Sequence, residues 1–431
     1  MEEHLLIHSF QDKFDRHLME LAEQIYSDDN IKQAHACLDK TVRTNQLRLL
    51  DAYRSARVSD VDFTTTTGYG YDDGGRDKFE QVFAAIFGAE AALIRPQIVS
   101  GTHALTLCLY GTLFPGDELV SITGRPYDTL AGIILGNKRR AGFLRDYGIN
   151  YKEVPWKKDT DLDFEAIEAA ISPQTRAVLI QRSRGYSLRP PLSITQIAQL
   201  IQLIKSINPA IITIVDNCYG EFVETKEPPV VGADLTAGSL IKNPGGGLAP
   251  CGGYVAGRKE LVELAASRLI APGLGQECGP SLGLNRLFYQ GLYLAPLIVG
   301  EALHGAIFVA QLFKNLGFSV YPEPTATRYD LVQTICLGDA EKIRVFCQAI
   351  QAASPVNSYV YPEAAPMPGY DTPVIMAAGT FVQGSSIELS ADAPMRPPFT
   401  VFLQGGLNRY QVEYGAMLAA QSLLDHNLIT S

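Results

Sequence analysis

The sequence predicts an α/β protein with a large domain built on a mainly parallel sheet and a smaller C-terminal α+β domain. Its 431 residues are enough for two or three domains and a large core. Between residues 79 and 257, strand-like runs alternate with helical stretches, which is typical of a parallel sheet covered on both faces. From about residue 317 onward, short strands mix with helices, which indicates the second domain.

The first 57 residues are predicted to form a helical arm, because one helical face repeats apolar side chains. These side chains are Phe10, Phe14, Leu18, Leu21 and Ile25. Such an arm cannot bury that face alone, so we expect it to pack on the main body or on another subunit. We therefore place an arm at residues 1–57, the large domain at 58–310 and the small domain at 311–431.

The elements of the two domains follow from runs of apolar and β-branched residues and from helical periodicity. The large domain is predicted to have strands at 91–95, 118–122, 177–181, 211–215, 234–240 and 253–257, and helices at 79–87, 103–113 and 194–207. The small domain is predicted to have strands at 319–321, 331–335, 374–377 and 387–389, and helices at 340–353 and 409–424. Ligands of such parallel sheets bind at the carboxyl ends of the strands.

Composition narrows the function classes. The net charge is −10 without a basic block, which disfavours nucleic acid as a partner. The seven cysteines show no C-x-x-C pair and no zinc spacing, which indicates reduced thiols, no metal and a cytoplasmic setting. The start Met-Glu-Glu-His has no signal-peptide character. The apolar stretch 294–313 contains Pro296, Glu301 and His304, so we interpret it as a buried helix and expect no membrane span.

Lys242 is the central candidate for chemistry. It follows a predicted strand, and Pro244 and the glycines 245–247 come directly after it, where neither helix nor sheet can form. A lysine at a strand end suits an amine that attacks a carbonyl and forms a Schiff base, for which the amine must be neutral. Desolvation or a neighbouring positive charge would lower its pKa toward that state. By itself, however, the pattern is more typical of a surface lysine before a turn, and only the other residues of the chain favour chemistry.

Other candidates also lie at strand or helix ends. Ser100-Gly101-Thr102-His103 opens a helix and could bind phosphate, although a helix cap with a buried histidine needs no ligand. Asp216 ends the strongest β run and could bind a cation, cap a turn or pair with a protonated ring nitrogen. Together with the aromatic Tyr127 and with Lys242, these residues provide what pyridoxal phosphate (PLP) requires of a protein. The requirements are a phosphate-binding helix start, an aromatic side chain that stacks on the ring, a carboxylate, and a lysine that forms a Schiff base.

The glycine-rich loop from Thr64 to Asp77 holds Tyr69, Tyr71 and Arg76. Long loops with tyrosine and arginine are often functional, although the segment could also be a plain connector.

With these residues in view, the chain resembles fold-type I PLP enzymes, and within them the cystathionine β-lyase and methionine γ-lyase group. The aluminium resistance protein branch has the matching strings Val-Asp-Asn-Cys-Tyr-Gly-Glu-Phe, here from Val215 to Phe222, and Ser-Leu-Ile-Lys-Asn-Pro-Gly-Gly-Gly, here from Ser239 to Gly247. The resemblance runs through almost the whole chain and includes Arg396.

The resemblance implies a role for each matching residue. Lys242 would bind PLP as a Schiff base and move the α-proton, Asp216 would pair with the pyridine nitrogen, and Tyr127 would stack on the ring. The PLP phosphate would be held by Gly101, Thr102 and Ser239, and a neighbouring subunit's phosphate would be contacted by Tyr69 or Tyr71 with Arg76. The phenolic oxygen side of PLP would be contacted by Arg182, Ser183 and Arg184. The substrate carboxylate would be bound by Arg396, with Arg184 near the substrate. The chain departs from the lyases proper at Ile241, where they have a hydroxyl residue, and in the loop before Arg76.

We therefore predict a PLP-dependent carbon–sulfur lyase acting on an amino acid, in a homodimer or homotetramer with active sites at the subunit interface. An aminotransferase is the rival enzyme. A PLP-binding protein without turnover is the rival from another class. A nucleotide-binding module using Gly245, Gly246 and Gly247 is a further option, but it lacks a P-loop motif.

Overall fold

The structure is a computed structural model that describes residues 13–136, 141–157, 161–367, 370 and 372–430. Two compact units divide the chain: Arg43–Pro296 forms the larger one, and the smaller one combines the residues up to Val42 with Leu297–Ser431. The chain thus passes from one unit to the other at 42/43 and at 296/297. The predicted domain boundaries at 57/58 and 310/311 stay predictions.

The helices and strands are numbered in chain order over the described residues. The helices are α1 (Arg16–Ser27), α2 (Asp29–Ser55), α3 (Gly74–Phe87), α4 (Gly101–Thr112), α5 (Asp128–Leu135), α6 (Phe164–Ala170), α7 (Ile194–Ile207), α8 (Lys259–Leu269), α9 (Asn285–Asn315), α10 (Ala340–Ala352) and α11 (Arg409–Asp425). The strands are β1 (Ala91–Arg95), β2 (Glu118–Ser121), β3 (Asn150–Glu153), β4 (Thr175–Gln181), β5 (Ile212–Asp216), β6 (Leu235–Ser239), β7 (Gly253–Gly257), β8 (Ser319–Tyr321), β9 (Gln333–Cys336), β10 (Val374–Ala378), β11 (Ser390–Pro394) and β12 (Thr400–Gln404).

The larger unit is organised around a sheet with the strand order β1-β7-β6-β5-β4-β2-β3. Strand β7 runs antiparallel to both of its neighbours, and the other pairings from β6 to β3 are parallel. The predicted mainly parallel sheet is confirmed. Because β6, β5, β4 and β2 run in one direction, their carboxyl ends share one edge.

Both faces of this sheet are buried, which explains its near-continuous apolar strands. One core cluster joins strand residues such as Leu179 and Ile214 to helices α4 and α8. The other joins Val178 and Val215 to α7. Helices begin where the sequence supplies a capping side chain: the hydroxyl of Ser193, for example, accepts the N–H of Gln196.

Asp234 connects the start of β6 to its neighbours. Its carboxylate accepts the N–H and the hydroxyl of Thr213 at 2.7 and 2.9 Å, and Lys205 Nζ lies at 2.7 Å. Burial would raise the pKa of this carboxyl, but the hydrogen bonds from Lys205 and Thr213 hold it below its ordinary value. These hydrogen bonds of Asp234 fix the register of β5 and β6, the two strands whose carboxyl ends carry the site.

The smaller unit contains an antiparallel sheet with the order β10-β11-β12-β9-β8, covered by α10, against which α11 packs. Its core includes Leu18, Leu21 and Ile25 of α1, with Phe14 packed against it. The apolar face of the predicted arm is therefore buried on this unit. Phe10 lies outside the described residues.

Helix α9 is long and apolar enough to cross a membrane by length and composition, but 72% of its most apolar window is buried. Glu301 on this helix accepts the backbone N–H of Arg409 at 2.9 Å and forms an ion pair with its guanidinium. His304 Nε2 lies 3.0 Å from Asp39 Oδ1. Polar groups with partners in the same unit are typical of the core helix that the sequence predicted.

Several elements differ from the prediction. The strand placed at 387–389 is wrong, because that segment bends and the strand is β11, three residues later. Strands β3 and β12 and helices α5, α6 and α8 were not predicted. Strand β3 is largely exposed and polar, so its pattern gives no apolar alternation, and its pairing with β2 defines it instead.

Candidate active site

The candidate site lies at the carboxyl edge of the larger sheet. Strands β4, β5 and β6 end at Gln181, Asp216 and Ser239, and the register pairs Gln181 with Asp216 and Asp216 with Ala237. Lys242 follows β6 by three residues. The structure thus brings the predicted carboxylate and amine together on neighbouring strands of one edge.

Lys242 is partly buried, and its Nζ lies 4.0 Å from the centre of the Tyr219 ring. Tyr219 belongs to the turn after β5 and has a φ of 71°, in the left-handed region that a non-glycine residue adopts only under strain. Burial alone would lower the pKa of Lys242, but Cys218, Tyr219 and Asp216 raise it well above its ordinary value. The expected lowering of this pKa is therefore wrong for the chain itself.

Asp216 is 4% exposed, and its Oδ1 accepts the backbone N–H of Cys218 at 3.1 Å. Burial raises the pKa of this carboxyl, while the positive charge of Lys242 and the hydrogen bonds from Cys218 act in the opposite direction. A buried carboxylate of this kind is stabilised by a nearby cation. It can accordingly hold a protonated ring nitrogen.

The start of helix α4 reaches the same edge. Ser100 Oγ accepts the N–H of His103 at 3.1 Å, so Ser100 caps the helix. A Cβ on Gly101 would lie 2.9 Å from Cys218 Sγ and 3.5 Å from Ser239 N. This contact leaves no room for a side chain and places the helix start directly beside the end of β6.

Tyr127 immediately precedes helix α5, and its hydroxyl lies 2.9 Å from Thr102 Oγ1. Burial raises the pKa of Tyr127 well above its ordinary value, so the phenol is neutral. His103 Nδ1 accepts the N–H of Val99 at 3.3 Å. The contact agrees with the structural alternative for His103, while Thr102 and Tyr127 line the site.

The sequence matches the family described as methionine gamma-lyase over residues 19–424. The chain belongs to the methionine γ-lyase family. Uncharacterized protein YnbB of Bacillus subtilis (strain 168) is 50% identical to it over 401 residues, which cover 93% of this chain and 95% of that protein.

Solved structures agree with the family. One from Clostridium acetobutylicum, described as a candidate cystathionine beta-lyase involved in aluminium resistance, has a TM-score of 0.93 and 43% identity, and covers 98% of this chain and 99% of that one. A carbon-sulfur lyase involved in aluminium resistance from Clostridium novyi has a TM-score of 0.92 and 44% identity, and covers 98% of this chain and 99% of that one. The PLP-dependent protein YhfS of Escherichia coli, at 18% identity, 90% and 97% coverage and a TM-score of 0.61, shares the fold.

Membership of the methionine γ-lyase family makes the chain a PLP-dependent carbon–sulfur lyase, and the predicted resemblance and fold class are confirmed. The residues fit this cofactor. The Asp216 carboxylate is buried and is stabilised by a cation, helix α4 begins at Gly101 directly beside the end of β6, and Lys242 supplies an amine that interacts with Asp216. Among the residues that the structure describes, no group of three or more potential ligands could hold a metal ion.

Arg76 is 5% exposed, and its Nη1 donates to the carbonyls of Gly70 and Gly279 at 2.7 and 2.8 Å. Its guanidinium therefore ties two loops of its own chain together. Tyr69 and Tyr71, by contrast, are 75% and 52% exposed. The surface that these two loops form around Tyr69 and Tyr71 is called the platform below. The roles predicted for these three residues toward a neighbouring subunit stay predictions.

The residues after β4 differ in their surroundings. Arg182 is fully buried and donates to Asn217 Oδ1 at 2.8 Å and to Glu224 Oε2 at 2.7 Å, so it braces the turn after β5. Ser183 and Arg184 are also buried. Arg396 is exposed, at the turn after β11 in the smaller unit. The cofactor and substrate contacts predicted for these residues are not tested by this arrangement.

The glycine run has a structural explanation. A Cβ on Gly245 would lie 1.8 Å from Leu240 O, and one on Gly246 would lie 2.3 Å from Gly291 O. The run therefore allows the turn to close tightly against the first part of α9, which explains it without a phosphate. The glycine run therefore no longer supports the nucleotide-binding alternative.

Three residues of the site escaped the sequence reasoning: Gln181, Cys218 and Tyr219. All three lie at the end of a strand or directly after one, which is the signal that could have found them. Their residue types are common in cores and turns, so only their contacts in the folded chain assign them to the site.

Proposed function

We propose that the protein cleaves the carbon–sulfur bond of a thioether amino acid related to cystathionine, with Lys242 as the residue that carries PLP and moves the proton. The observation that supports this proposal is the position of the Lys242 amine at the sheet edge, 4.0 Å from the centre of the Tyr219 ring and under the electrostatic influence of the Asp216 carboxylate. Names of the related structures, cystathionine beta-lyase and carbon-sulfur lyase, point the same way.

Each chain residue has a distinct task in this proposal. The backbone N–H groups of Gly101 and Thr102 and the Ser239 hydroxyl would hold the phosphate, and Asp216 would bind the pyridine nitrogen. Tyr127 would cover the ring. When bound, PLP supplies an electron sink for negative charge at the substrate's α-carbon.

Lys242 must change its protonation state during the reaction. In the chain itself, Cys218, Tyr219 and Asp216 raise the pKa of the Lys242 amine, and Asp216 is the one of the three that would pair with the ring nitrogen. Once Asp216 pairs with another cation, its contribution to that pKa falls, so Nζ can release its proton. The neutral amine then accepts the proton from the substrate's α-carbon as a general base.

The substrate carboxylate needs a cationic partner. We assign this task to Arg396, whose guanidinium can bind a carboxylate with two parallel hydrogen bonds. Arg184 and Ser183 are assigned to the ring and substrate side, because they follow β4 at the same sheet edge. The reaction is proposed to take place in the cytoplasm.

The function is tested with purified protein, PLP and a panel of thioether amino acids including cystathionine. A lyase is expected to release a keto acid, ammonia and a thiol without any keto acid being added. Pyruvate with homocysteine would indicate cleavage at the β-carbon, and 2-oxobutyrate with cysteine would indicate the γ-carbon. An aminotransferase would instead require an added keto acid. Bound PLP without product from any amino acid would contradict the proposal.

We further propose a homodimer or homotetramer in which copies cover the platform around Tyr69 and Tyr71. Leu282, whose N–H donates to the Thr66 carbonyl of the same loop at 3.2 Å, adds an apolar side chain that is 54% exposed. A backbone hydrogen bond ties this loop to a second segment of the chain: Gly279 N donates to Tyr69 O at 2.9 Å.

Sedimentation velocity is expected to show a dimer or tetramer, and the double substitution of Tyr69 and Tyr71 by glutamate is expected to weaken association, because charge would have to be buried at the interface. Substituting the exposed Tyr359 of the smaller unit in the same way serves as the control. A stable, fully active monomer would refute the proposed assembly.

A further inference from the structure

Gln181 is a buried amide at the centre of the sheet edge. It ends β4 and pairs in register with Asp216 of β5, and only 6% of its surface is exposed. Its backbone N–H donates to Thr123 Oγ1 at 2.9 Å, and its backbone carbonyl accepts from Arg189 Nη2 at 2.9 Å. The backbone of Gln181 is therefore fixed on both sides, which leaves its side chain to serve another purpose.

The side-chain amide of Gln181 joins two segments of the site. Its Oε1 accepts the N–H of Tyr127 at 3.0 Å, and its Nε2 donates to the carbonyl of Ser183 at 2.9 Å. These contacts use the two ends of the amide in opposite senses, one as acceptor and one as donor. An apolar side chain of the same size would provide neither.

The two segments are the ones that would flank a ring at this edge. Tyr127 is held at its backbone by Gln181 and at its hydroxyl by Thr102. The turn after Ser183 folds over the same amide: a Cβ on Gly185 would lie 3.4 Å from Gln181 Nε2 and 3.8 Å from Tyr127 Cβ. The geometry thus makes Tyr127, Gln181 and the turn one connected unit.

We propose that Gln181 is a positioning residue that fixes Tyr127 and the 183–185 turn in one arrangement around the cofactor ring. This inference rests on the proposed function, because it takes Tyr127 to cover PLP. Gln181 itself is assigned no contact with substrate and no proton transfer. Its effect on catalysis is transmitted through the orientation of Tyr127.

Replacement by glutamate gives this proposal a distinctive signature. A neutral carboxylic acid can accept from Tyr127 N and donate to Ser183 O, as the amide does, whereas an ionised carboxylate has no proton for Ser183 O. Burial and the nearby Asp216 charge favour the neutral form of such an acid, and the Arg189 guanidinium favours the ionised form. Gln181→Glu should therefore resemble the wild type at low pH and lose the Ser183 contact as the pH rises.

The test uses holoenzymes of the wild type, Gln181→Glu and Gln181→Met. Two readouts besides activity are measured across pH: the induced circular dichroism of bound PLP and the rate of PLP release on dilution. Gln196→Glu is the matched control, because Gln196 only caps helix α7 outside the site. All results are expressed relative to the wild type at the same pH.

Gln181→Met is expected to release PLP about tenfold faster at every pH, which corresponds to the loss of buried hydrogen bonds. The PLP release rate of Gln181→Glu is expected to match that of the wild type at about pH 6 and to approach that of the methionine variant at about pH 9. Release rates and dichroism of Gln181→Glu that do not depend on pH relative to the wild type would overturn the inference, even if Gln181→Met fails to fold. Failure of the wild type to bind PLP would instead overturn the proposed function together with it.

Discussion

Replacing Lys242 by alanine is expected to reduce carbon–sulfur lyase activity by about 10⁴-fold or more, because one side chain both carries the cofactor and moves the α-proton. The substitution removes the amine that lies 4.0 Å from the centre of the Tyr219 ring and interacts electrostatically with Asp216. In the cofactor-free chain, Asp216 would then lose the positive charge that lowers its pKa, so the pKa of its carboxyl should rise further. The loss should appear in kcat, since binding of the substrate carboxylate does not involve Lys242.

The position of the cofactor provides a second measurement of this prediction. Borohydride treatment of the wild-type holoenzyme is expected to fix PLP on the peptide that contains Lys242, and the alanine variant should retain no fixed PLP. Lys226→Ala is the control, because Lys226 is an exposed lysine of the same unit. Fixed PLP on another lysine, or a Lys242→Ala variant with a tenth of the wild-type activity, would refute the assignment.

The sheet that carries the site could be predicted because its strands are short apolar runs bounded by turns. Strands β1 and β7 and helix α7 have the predicted limits to the residue. Asp216 and Lys242 were placed at one edge by the order of these elements alone, since parallel strands end together. The chemistry of the edge was therefore accessible from residue types and spacing.

The remaining features depend on contacts between residues far apart in the chain. The raised pKa of Lys242 arises because Cys218, Tyr219 and Asp216 converge on it, which no local pattern expresses. Gln181 gains its partners Tyr127 and Ser183 only after β4 and the α5 start meet. In the same way, the glycine run was ambiguous until its approach to Gly291 was visible.

Replacing Asp216 by asparagine is expected to lower kcat/KM by about 10³-fold, because the variant keeps the shape of the side chain but loses its negative charge. The buried carboxylate is the group that would hold a protonated ring nitrogen, and a neutral amide cannot stabilise that charge. Asp216→Glu keeps the charge on a longer side chain. It should therefore retain more activity than Asp216→Asn if charge, and not shape, is decisive.

The pH profile gives the sharper test of this charge. Burial raises the pKa of Asp216 in the chain itself, and a positive charge beside it acts in the opposite direction. In either case the carboxylate is present above its pKa and is lost as the pH falls through it. The acidic limb of kcat/KM should therefore include Asp216, and Asp216→Asn should remove that contribution while lowering the plateau. PLP affinity measured in parallel should fall in the asparagine variant, since the ring nitrogen loses its partner. An asparagine variant within tenfold of the wild type and with an unchanged acidic limb would show that Asp216 does not carry this role.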